Sequence, residues 1–520
     1  MRGLGICYNL VMLTNKLQLD YKPVQIILPL NYEHIIDKND SVVSFLEVVG
    51  GLNLGKFIKT SNVGRHDYDP EIMLHVILFG FMENIRSLRK LEKACRTDVR
   101  FMYICKGKKP SFMAFQRFID SKLNESIDDI FYEINEFFIH KESINTDVIY
   151  IDGTKIEANA RKFSFVWKRA VLKHRDNLYL KISKLYQTID KQFKIPLTVK
   201  DTYLPEDLNN IINTFGLYCH HYSIPFVYGK GKRKTCFQRY YETLCEFQVK
   251  LTEYEEHLRI CGDRNSYSKT DHDATFMHGK EDYYSKTGIF KPYYNLQIGV
   301  SDEYILHLGV YPNPTDTKTF IPFLETYFER YKTYPKYPVA DAGYGSYDNY
   351  LYCLDHDMEL FMKYAQFNKE NESKFKRKIY NVKNMDITPN KITTVDGTTY
   401  TYSHDYIQRR GLYPQHKKVY THDNWDESMK EQKIPKTISY DPVMIQLQDQ
   451  ARKNLKRPNG VELRKQRSIQ VEGAFGDIKA NTDYVRIQRR GKRSVQTELT
   501  LVALGYNLRK FHAKKLKKMK

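Results

Sequence analysis

The sequence lacks long apolar runs, and no stretch approaches the roughly 18 apolar residues that a membrane-spanning helix needs. The opening segment up to residue 13 is mildly apolar but has no convincing small-residue cleavage site. We therefore predict no membrane span and no signal peptide, and Met12 is an alternative translation start.

Cysteine is also scarce: the 520 residues contain eight, and no two of them form a C-x-x-C pair. Cys219, His220 and His221 are followed by Cys236 and Cys245, but this spacing matches no standard zinc site. Reduced thiols are the default in a cytosolic protein. We therefore predict a cytoplasmic protein without structural zinc.

Acidic residues are outnumbered: 62 Asp and Glu face 82 Lys and Arg, which leaves a formal net charge of +20. Such a surface attracts polyanions, most often nucleic acid, and a solvated basic surface without a partner is the alternative. Residues 486–520 contain 12 Lys or Arg and one acid, Glu498, and this clustering favours a partner. With 41% hydrophobic and 28% charged residues, the chain is typical of a globular protein with two or three domains.

Three acids lie in or next to segments that predict regular structure. Residues 148–151 are β-branched or aromatic and predict a strand covered on both faces, and Asp152 follows them directly. Residues 337–340 lead to Asp341 in the same way, and Glu472 lies in a helical segment. Ligands of open α/β sheets bind at strand ends, so these acids are the candidate catalytic residues.

The segments between these acids predict a mixed α/β core. Further strands are predicted near residues 293–300, 304–310 and 360–364, and helices near 317–331, 346–356, 448–481 and 493–515. Without two insertions, the order is three strands, a helix, a strand, a helix, a strand and a helix. This order resembles the ribonuclease H-like arrangement, in which the three acids would meet.

These elements also predict the domain organisation. We expect an N-terminal arm, a helical DNA-binding domain, a catalytic domain with two insertions, and a basic tail. The arm covers residues 1–66, and the helical domain covers residues 67–142. The catalytic domain covers residues 143–511, with insertions at about 162–262 and 366–440, and the tail covers residues 512–520. The first insertion is predicted to be helical, and the second is predicted to be irregular, basic and rich in tyrosine.

Two basic segments suggest contacts with nucleic acid. Asp69 and Pro70 predict the start of a helix, Ser87 predicts a cap for the next, and a basic turn at residues 106–111 precedes a helix with Arg117. This order fits a helix-turn-helix-like DNA reader and, equally, an ordinary helical bundle. In the first insertion, the basic loop at residues 228–234 either tracks phosphates or is a solvated linker.

Three converging carboxylates repel one another and are stable as anions when a hard divalent cation lies between them. Mg²⁺ suits such a site because it binds a few carboxylates together with waters and substrate phosphate oxygens. Two such ions activate a water or a 3′-hydroxyl and stabilise the leaving oxygen of an in-line displacement. The three acids therefore predict metal-dependent phosphoryl transfer.

Each acid alone has a plainer explanation. Asp152 could be a strand-end cap, Asp341 could belong to a tight turn with Gly343 and Gly345, and Glu472 could lie on a solvated helix face. Their occurrence in this order on these elements is much more specific than any one of them.

The sequence resembles the DDE transposases of bacterial insertion sequences over most of its length, from about Asp69 to Phe511. The similarity is carried by short motifs at residues 69–73, 152–160, 269–277, 340–346, 470–479 and 503–510. It implies that Asp152, Asp341 and Glu472 bind two Mg²⁺ ions, with Mn²⁺ as a substitute. It also implies that the N-terminal helical region recognises the terminal inverted repeats of the element.

The resemblance extends to residues around the acids. Lys479 lies seven residues after Glu472 on the same helix face, where the family has a lysine that contacts DNA near the cleaved end. Ser468 stands where some relatives have an arginine, and Arg467 is one residue away from that position. Asp273 is an accessory acid for which a structural role is favoured, and Tyr344 is a second accessory residue. The other basic residues predicted to contact DNA are Lys155, Arg117, Arg486, Arg489, Arg490, Lys492 and Arg493.

The sequence thus predicts a transposase that binds double-stranded DNA at inverted repeats, exposes 3′-hydroxyls and joins them to target DNA. Synapsis of two ends implies a homodimer. The alternatives are a ribonuclease H-like nuclease that cleaves without joining, and an inactivated transposase that only binds DNA.

Overall fold

The computed structural model describes residues 36–59, 68–195, 197–279, 288–481 and 484–519. Most of the predicted N-terminal arm, including Met12, lies outside these residues. The part of the arm that is described contains a helix, α1 (Ser41–Gly50), whose apolar face is buried in the main core of the protein. This helix therefore belongs to the folded body and not to an extended arm.

The N-terminal region is helical. After α1 it contains α2 (Pro70–Met82), α3 (Leu88–Thr97), α4 (Val99–Ile104), α5 (Phe112–Phe118) and α6 (Asn124–Glu142). Asp69 caps α2, because its carboxylate accepts a hydrogen bond from the backbone N–H of Glu71 at 2.9 Å. The predicted cap at Ser87 is wrong in this respect, since its side chain makes no capping hydrogen bond to α3.

A six-stranded mixed sheet forms the centre of the molecule. Its strands are β1 (Val148–Glu157), β4 (Thr275–His278), β5 (Phe290–Ser301), β6 (Tyr304–Tyr311), β7 (Tyr337–Ala340) and β8 (Phe361–Met362). They lie in the order β4-β5-β1-β7-β8, with β6 paired to β5. The pairs β1–β7 and β7–β8 are parallel, whereas β1–β5, β4–β5 and β5–β6 are antiparallel.

The helices that follow the sheet strands occur in the predicted order. They are α10 (Phe320–Tyr331), α11 (Tyr347–Asp355), α12 (Pro442–Lys456), α13 (Pro458–Gly476) and α14 (Lys492–Met519). The predicted break near Pro458 is present, because α12 ends at Lys456 and α13 begins at that proline. A single apolar cluster joins the N-terminal helices, the sheet and α14, so the helical region shares its core with the sheet.

Residues between β1 and β4 form a helical unit. The short strands β2 (Phe165–Trp167) and β3 (Ser266–Ser268) pair at its base, and α7 (Lys168–Phe193), α8 (Pro205–His221) and α9 (Cys236–Cys261) pack together. These three helices enclose an apolar cluster of their own, centred on Ile182, Leu208 and Leu244. The unit therefore has its own hydrophobic core beside that of the sheet.

The second insertion is not irregular, as the sequence suggested. It forms a five-stranded antiparallel sheet in the order β13-β12-β11-β10-β9. The strands are β9 (Asp386–Ile387), β10 (Lys391–Thr393), β11 (Thr399–Gln408), β12 (Gln415–His422) and β13 (Thr437–Tyr440). One face of this sheet is buried around Ile392, Tyr400, Tyr420 and Ile438, and most of the remaining side chains are exposed.

Candidate active site

Asp152 and Asp341 lie side by side where the parallel pairing of β1 and β7 ends. The pairing runs from Val148–Tyr337 to Ile151–Ala340, so the next residue on each chain is one of the two acids. Asp341 directly follows its strand, as predicted. Asp152 is not at the end of a strand, because β1 continues to Glu157 through its pairing with β5. The two acids are neighbours because each follows the last residue pair of the parallel register.

Asp152 forms an ion pair with Arg467 of α13. The guanidinium Nη1 lies 3.0 Å from Oδ2 of Asp152, and the two side chains are only 12% and 15% exposed. The other carboxylate oxygen accepts a hydrogen bond from the backbone N–H of Gly153 at 2.8 Å. Because a charge that is mostly withdrawn from water needs a partner, Arg467 compensates Asp152 in this structure.

A third carboxylate, Asp316, lies beside these acids and was missed by the sequence interpretation. Its Oδ1 atom accepts hydrogen bonds from the side-chain amides of Asn295 at 2.8 Å and Gln297 at 2.9 Å, both on β5. The following residue, Thr317, donates from its hydroxyl to the carbonyl of Gly343 at 2.8 Å, within the loop after Asp341. Asp316 is therefore held between β5 and the loop that follows Asp341.

Gly153 and Gly345 are required by close approach of their neighbours. A Cβ atom at position 153 would lie 2.2 Å from the side-chain nitrogen of Gln297 and 2.8 Å from Oδ1 of Asp316. A Cβ atom at position 345 would lie 2.3 Å from the backbone carbonyl oxygen of Lys363. The glycines that follow Asp152 and Asp341 thus allow the hydrogen-bonded network and β8 to approach the acids closely.

Tyr344, in the loop after Asp341, supports the site through buried hydrogen bonds. Its side chain is fully buried, its hydroxyl donates to the side-chain oxygen of Gln297, and its carbonyl accepts from the amide of Asn349 at 2.7 Å. Burial raises the pKa of Tyr344 well above its usual value, and the negative charges of Asp316, Asp152 and Asp341 act in the same direction. The phenol is therefore neutral and acts as a fixed hydrogen-bond donor.

A second cation, Lys363, lies near Asp341. It directly follows β8, whose last residue Met362 pairs with Ala340, so Lys363 and Asp341 end neighbouring parallel strands. Burial lowers the pKa of the Lys363 ammonium, the nearby Arg467 and Arg464 lower it further, and Asp341 opposes this effect. The site thus places Arg467 and Lys363 against the carboxylates.

Glu472 lies on the exposed side of α13, one residue after Val471, which is buried. No described residue makes a hydrogen bond or an ion pair with its carboxylate. Across the described ranges, no group of three or more His, Cys, Asp or Glu residues is arranged to hold a metal ion. The structure therefore brings Asp152 and Asp341 together and leaves Glu472 outside a three-residue cluster.

Lys479 and Lys155 both make contacts within the protein. The ammonium of Lys479 donates to the hydroxyl of Thr154 at 2.7 Å and to the carbonyl of Lys155 at 3.3 Å. The ammonium of Lys155 donates to the carbonyl of His278 at 2.9 Å. Lys479 thus joins the end of the helical segment after Glu472 to the strand that carries Asp152.

The arginines after this helical segment contact the end of β1 and the N-terminal helices. Arg486 and Arg490 donate to carbonyl oxygens of residues 158–160 at 2.7 to 3.4 Å. Arg489 pairs with Asp120 at 2.5 Å, and Arg493 pairs with Asp128 at 2.6 Å. These predicted DNA contacts thus also connect the sheet to the helical region, and all but Arg489 remain exposed.

Asp273 makes a hydrogen bond within the protein. Its Oδ2 atom accepts the backbone N–H of Lys492 at 2.7 Å, and Asp271 accepts the N–H of Gly491 at 3.2 Å. Gly491 has a positive φ of 79°, which favours glycine. The two acids hold in place the loop of residues 484–491 before α14, which we call the basic loop. Arg117 lies on the exposed surface of α5.

Two families match the chain, one near each end. The family described as "Transposase DDE domain" matches residues 425–512, which include Glu472, Lys479 and the basic loop. The family described as "Transposase domain (DUF772)" matches residues 30–121, which include α1 to α5 and Arg117. Asp152 and Asp341 lie between the two matched segments.

A search of curated proteins found no match. In the part of the chain that the structure describes, no helix is long and apolar enough to span a membrane. The α/β architecture agrees with the family that matches the C-terminal segment. The two matched segments support an insertion-sequence DDE transposase.

Proposed function

We propose that this transposase binds the terminal inverted repeats of its element, cleaves DNA there and joins the 3′-ends to target DNA. The observation that carries this proposal is the placement of Asp152 and Asp341 at the end of one parallel strand pair. We further propose that the sheet is a ribonuclease H-like core, because its strands and helices follow the order described above and carry the acids at these positions.

The acids near the strand ends carry the type of donor atom that a divalent cation binds. Asp152, Asp341 and Asp316 offer carboxylate oxygens, the ligand type that Mg²⁺ and Mn²⁺ prefer, and Mg²⁺ needs only one or two carboxylates together with waters and phosphate oxygens. We propose Asp152 and Asp341 as ligands, with Glu472 as the third acid of the site. A bound divalent ion would supply activation of water or a 3′-hydroxyl and neutralisation of charge on the phosphate.

The chain's own groups would position the substrate. Arg467 and Lys363 lie at the carboxylates and provide positive charge for a phosphodiester that approaches Asp152 and Asp341. Tyr344 and Gln297 fix Asp316, and the buried hydrogen bonds among them keep the loop after β7 rigid. Catalysis of this type depends mainly on such positioning and charge neutralisation.

Exposed arginines extend the positive surface away from the acids. We propose that Arg486, Arg490 and Arg493 contact the phosphate backbone, together with Lys492 at the start of α14, while the bonds of these arginines within the protein fix their position. Arg117 is proposed to face the repeat from the N-terminal helices, and a homodimer is proposed to hold two ends. The net charge of +20 supports a polyanionic partner.

The test is a Mg²⁺-dependent reaction of the wild type and Glu472→Gln with a duplex that carries the terminal repeat. Nicking at the repeat end followed by joined products supports a transposase, and nicking without joining supports a nuclease. Specific binding without cleavage by the wild type supports a DNA-binding protein without activity. If Glu472→Gln binds and does not cut, Glu472 belongs to the site; if it cuts as well as the wild type, it does not.

A further inference from the structure

Both carboxylate oxygens of Asp152 have a partner within the protein. Oδ1 accepts the backbone N–H of Gly153 at 2.8 Å, and Oδ2 accepts a hydrogen bond from the guanidinium of Arg467 at 3.0 Å. A divalent cation bonded to Oδ2 would adjoin the guanidinium, and two cations so close together in a site mostly withdrawn from water repel each other. Arg467 and a divalent cation therefore compete for Asp152.

Two more cations lie close to Arg467. Arg464 precedes it by three residues on α13, so the two side chains project from the same side of that helix. Lys363 follows β8, beside Asp341. Burial lowers the pKa of the Lys363 ammonium, and both arginines are close enough to lower it further. The positive charge around the guanidinium thus adds to the repulsion of an incoming divalent cation.

The formal charges of these three cations are balanced by the three carboxylates at the strand ends, Asp152, Asp341 and Asp316. Burial raises the pKa of Tyr344, the three carboxylates raise it further and Arg467 lowers it, so all four charges lie around this one phenol. A divalent cation that arrived alone would leave this group of side chains with an excess of two positive charges. A cation that arrives with DNA is accompanied by the negative charge of the phosphate groups.

From these observations we propose that Arg467 is a positioning residue that makes metal binding depend on DNA. Its guanidinium occupies Asp152 until a phosphate group of the bound duplex takes it, and the freed carboxylate then binds the divalent cation. Guanidinium groups pair well with phosphate, often through two parallel hydrogen bonds. DNA and the cation therefore bind cooperatively, and each raises the affinity for the other by the same factor. This inference rests on the proposed function, because it assigns the cation and the DNA to the same site.

The experiment measures Mn²⁺ binding to the full chain by electron paramagnetic resonance of the free ion, without DNA and with a repeat-end duplex. The duplex has 3′-deoxy ends at the cleavage position, so it can be neither cut nor joined, and Mn²⁺ bound by the duplex alone is subtracted. The test variant is Arg467→Gln, and Arg467→Lys keeps the charge. The control is Lys465→Gln, which removes a charge from an exposed position on the same helix.

Without DNA, we expect Arg467→Gln to bind Mn²⁺ about 10-fold more tightly than the wild type, and Asp152→Asn in the same chain to remove this gain. We expect the duplex to raise the Mn²⁺ affinity of the wild type by about 10-fold or more. The increase should be several-fold smaller in Arg467→Gln, where only the phosphate oxygens still favour the ion. Arg467→Lys should retain most of the coupling, and Lys465→Gln should retain all of it.

Equal or weaker binding of Mn²⁺ by Arg467→Gln without DNA would overturn the proposal. Equal gains in Arg467→Gln and Lys465→Gln would also overturn it, because net charge alone would then explain them. If Arg467→Gln does not fold, Arg467→Met, which keeps a long side chain without the charge, is measured in its place.

The same measurements separate this inference from the proposed function. If the wild type cleaves the repeat with Mn²⁺ while Arg467→Gln binds Mn²⁺ as the wild type does, the inference fails and the proposed function stands. If the wild type binds no Mn²⁺ with or without the duplex, both fail.

Discussion

The guanidinium of Arg467 and the carboxylate of Asp152 form a largely buried ion pair, with 3.0 Å between Nη1 and Oδ2. Asp152 is thereby compensated by α13, the same helix that carries Glu472. The pair links the helix to the central strand of the sheet at the point where the candidate acids meet. The effects of substituting the two residues on the free energy of unfolding should therefore be coupled.

A double-mutant cycle should detect this coupling. Arg467→Gln leaves Asp152 without its counter-ion, and Asp152→Asn leaves the arginine without its partner. Because each single change breaks the same interaction, we expect the double variant to be about 1 to 3 kcal/mol more stable than additivity predicts. Urea unfolding of the four proteins without divalent cation measures the difference.

The control for that cycle is Lys465→Gln, which removes a charge from an exposed position on the same helix. We expect it to change the free energy of unfolding by less than about 0.5 kcal/mol. Additive effects of Arg467→Gln and Asp152→Asn would contradict the ion pair.

Gly153→Ala should destabilise the protein. The new Cβ would lie 2.2 Å from the side-chain nitrogen of Gln297, so the amide must move away from Asp316. We expect a loss of about 1 to 3 kcal/mol in the free energy of unfolding, since overpacking a buried site has this cost. Chemical denaturation checks the value, and an unchanged stability would show that Gln297 can move freely.

A matched control for this substitution is Gly473→Ala. Position 473 lies on the exposed side of α13, and a Cβ atom there would meet nothing within 4 Å. Alanine favours a helix over glycine by up to about 1 kcal/mol, so this variant should be as stable as the wild type or more stable. Opposite changes in the free energy of unfolding at positions 153 and 473 would distinguish crowding by the new Cβ atom from a general effect of alanine.

Stability should fall as the pH falls below about 6.5, the ordinary pKa of histidine. Burial lowers the pKa of His307 to about 3 and that of His75 to about 4, so the unfolded chain takes up protons before the folded protein does. Their contribution is fully present above the unfolded pKa and is lost as the pH falls toward the folded values. Each histidine contributes up to about 1.4 kcal/mol per pH unit to the slope of the unfolding free energy against pH.

His307→Gln should remove one histidine's share of this slope between pH 6.5 and 4. His140→Gln is the control, because the His140 side chain is 82% exposed. Unfolding free energies measured across this range test the prediction. An unchanged slope in His307→Gln would show that His307 titrates alike in the folded and unfolded states.

The order of the core elements was predictable because each acid follows or interrupts a recognisable apolar pattern. The strand before Asp341 ends where the sequence predicts it to end. The sequence predicts a strand end at Asp152 because the apolar run stops there and both Asp and Gly are depleted in strands. The strand continues there because β5 pairs with it, and a pairing partner about 140 residues away leaves no local signal.

Asp316 and the strand β11 illustrate two other limits of sequence interpretation. Asp316 follows Pro314 and Thr315 in what reads as an ordinary turn, and its role arises from the amides of Asn295 and Gln297 on another strand. In β11 every residue from 401 to 407 is exposed, so no alternation of apolar and polar residues identifies this part of the strand.

The contacts of the basic loop could likewise not be predicted from the local sequence. A run of arginines predicts a polyanionic partner, but it does not show that Arg489 pairs with Asp120 or that Arg490 bonds to the carbonyl of Asn159. Such contacts join residues more than 300 positions apart. They depend on the shared core of the N-terminal helices and α14.

The most direct test of the account is Mg²⁺-dependent cleavage of a repeat-end duplex by Asp341→Asn. The wild type and Asp176→Asn, which makes the same chemical change at an exposed position on α7, are measured beside it. Binding of the duplex is measured separately without Mg²⁺. We expect Asp341→Asn to bind normally and to cleave on the order of 10²- to 10⁴-fold more slowly, while Asp176→Asn cleaves as the wild type does. Equal cleavage by all three proteins would contradict the assignment of Asp341 to the active site.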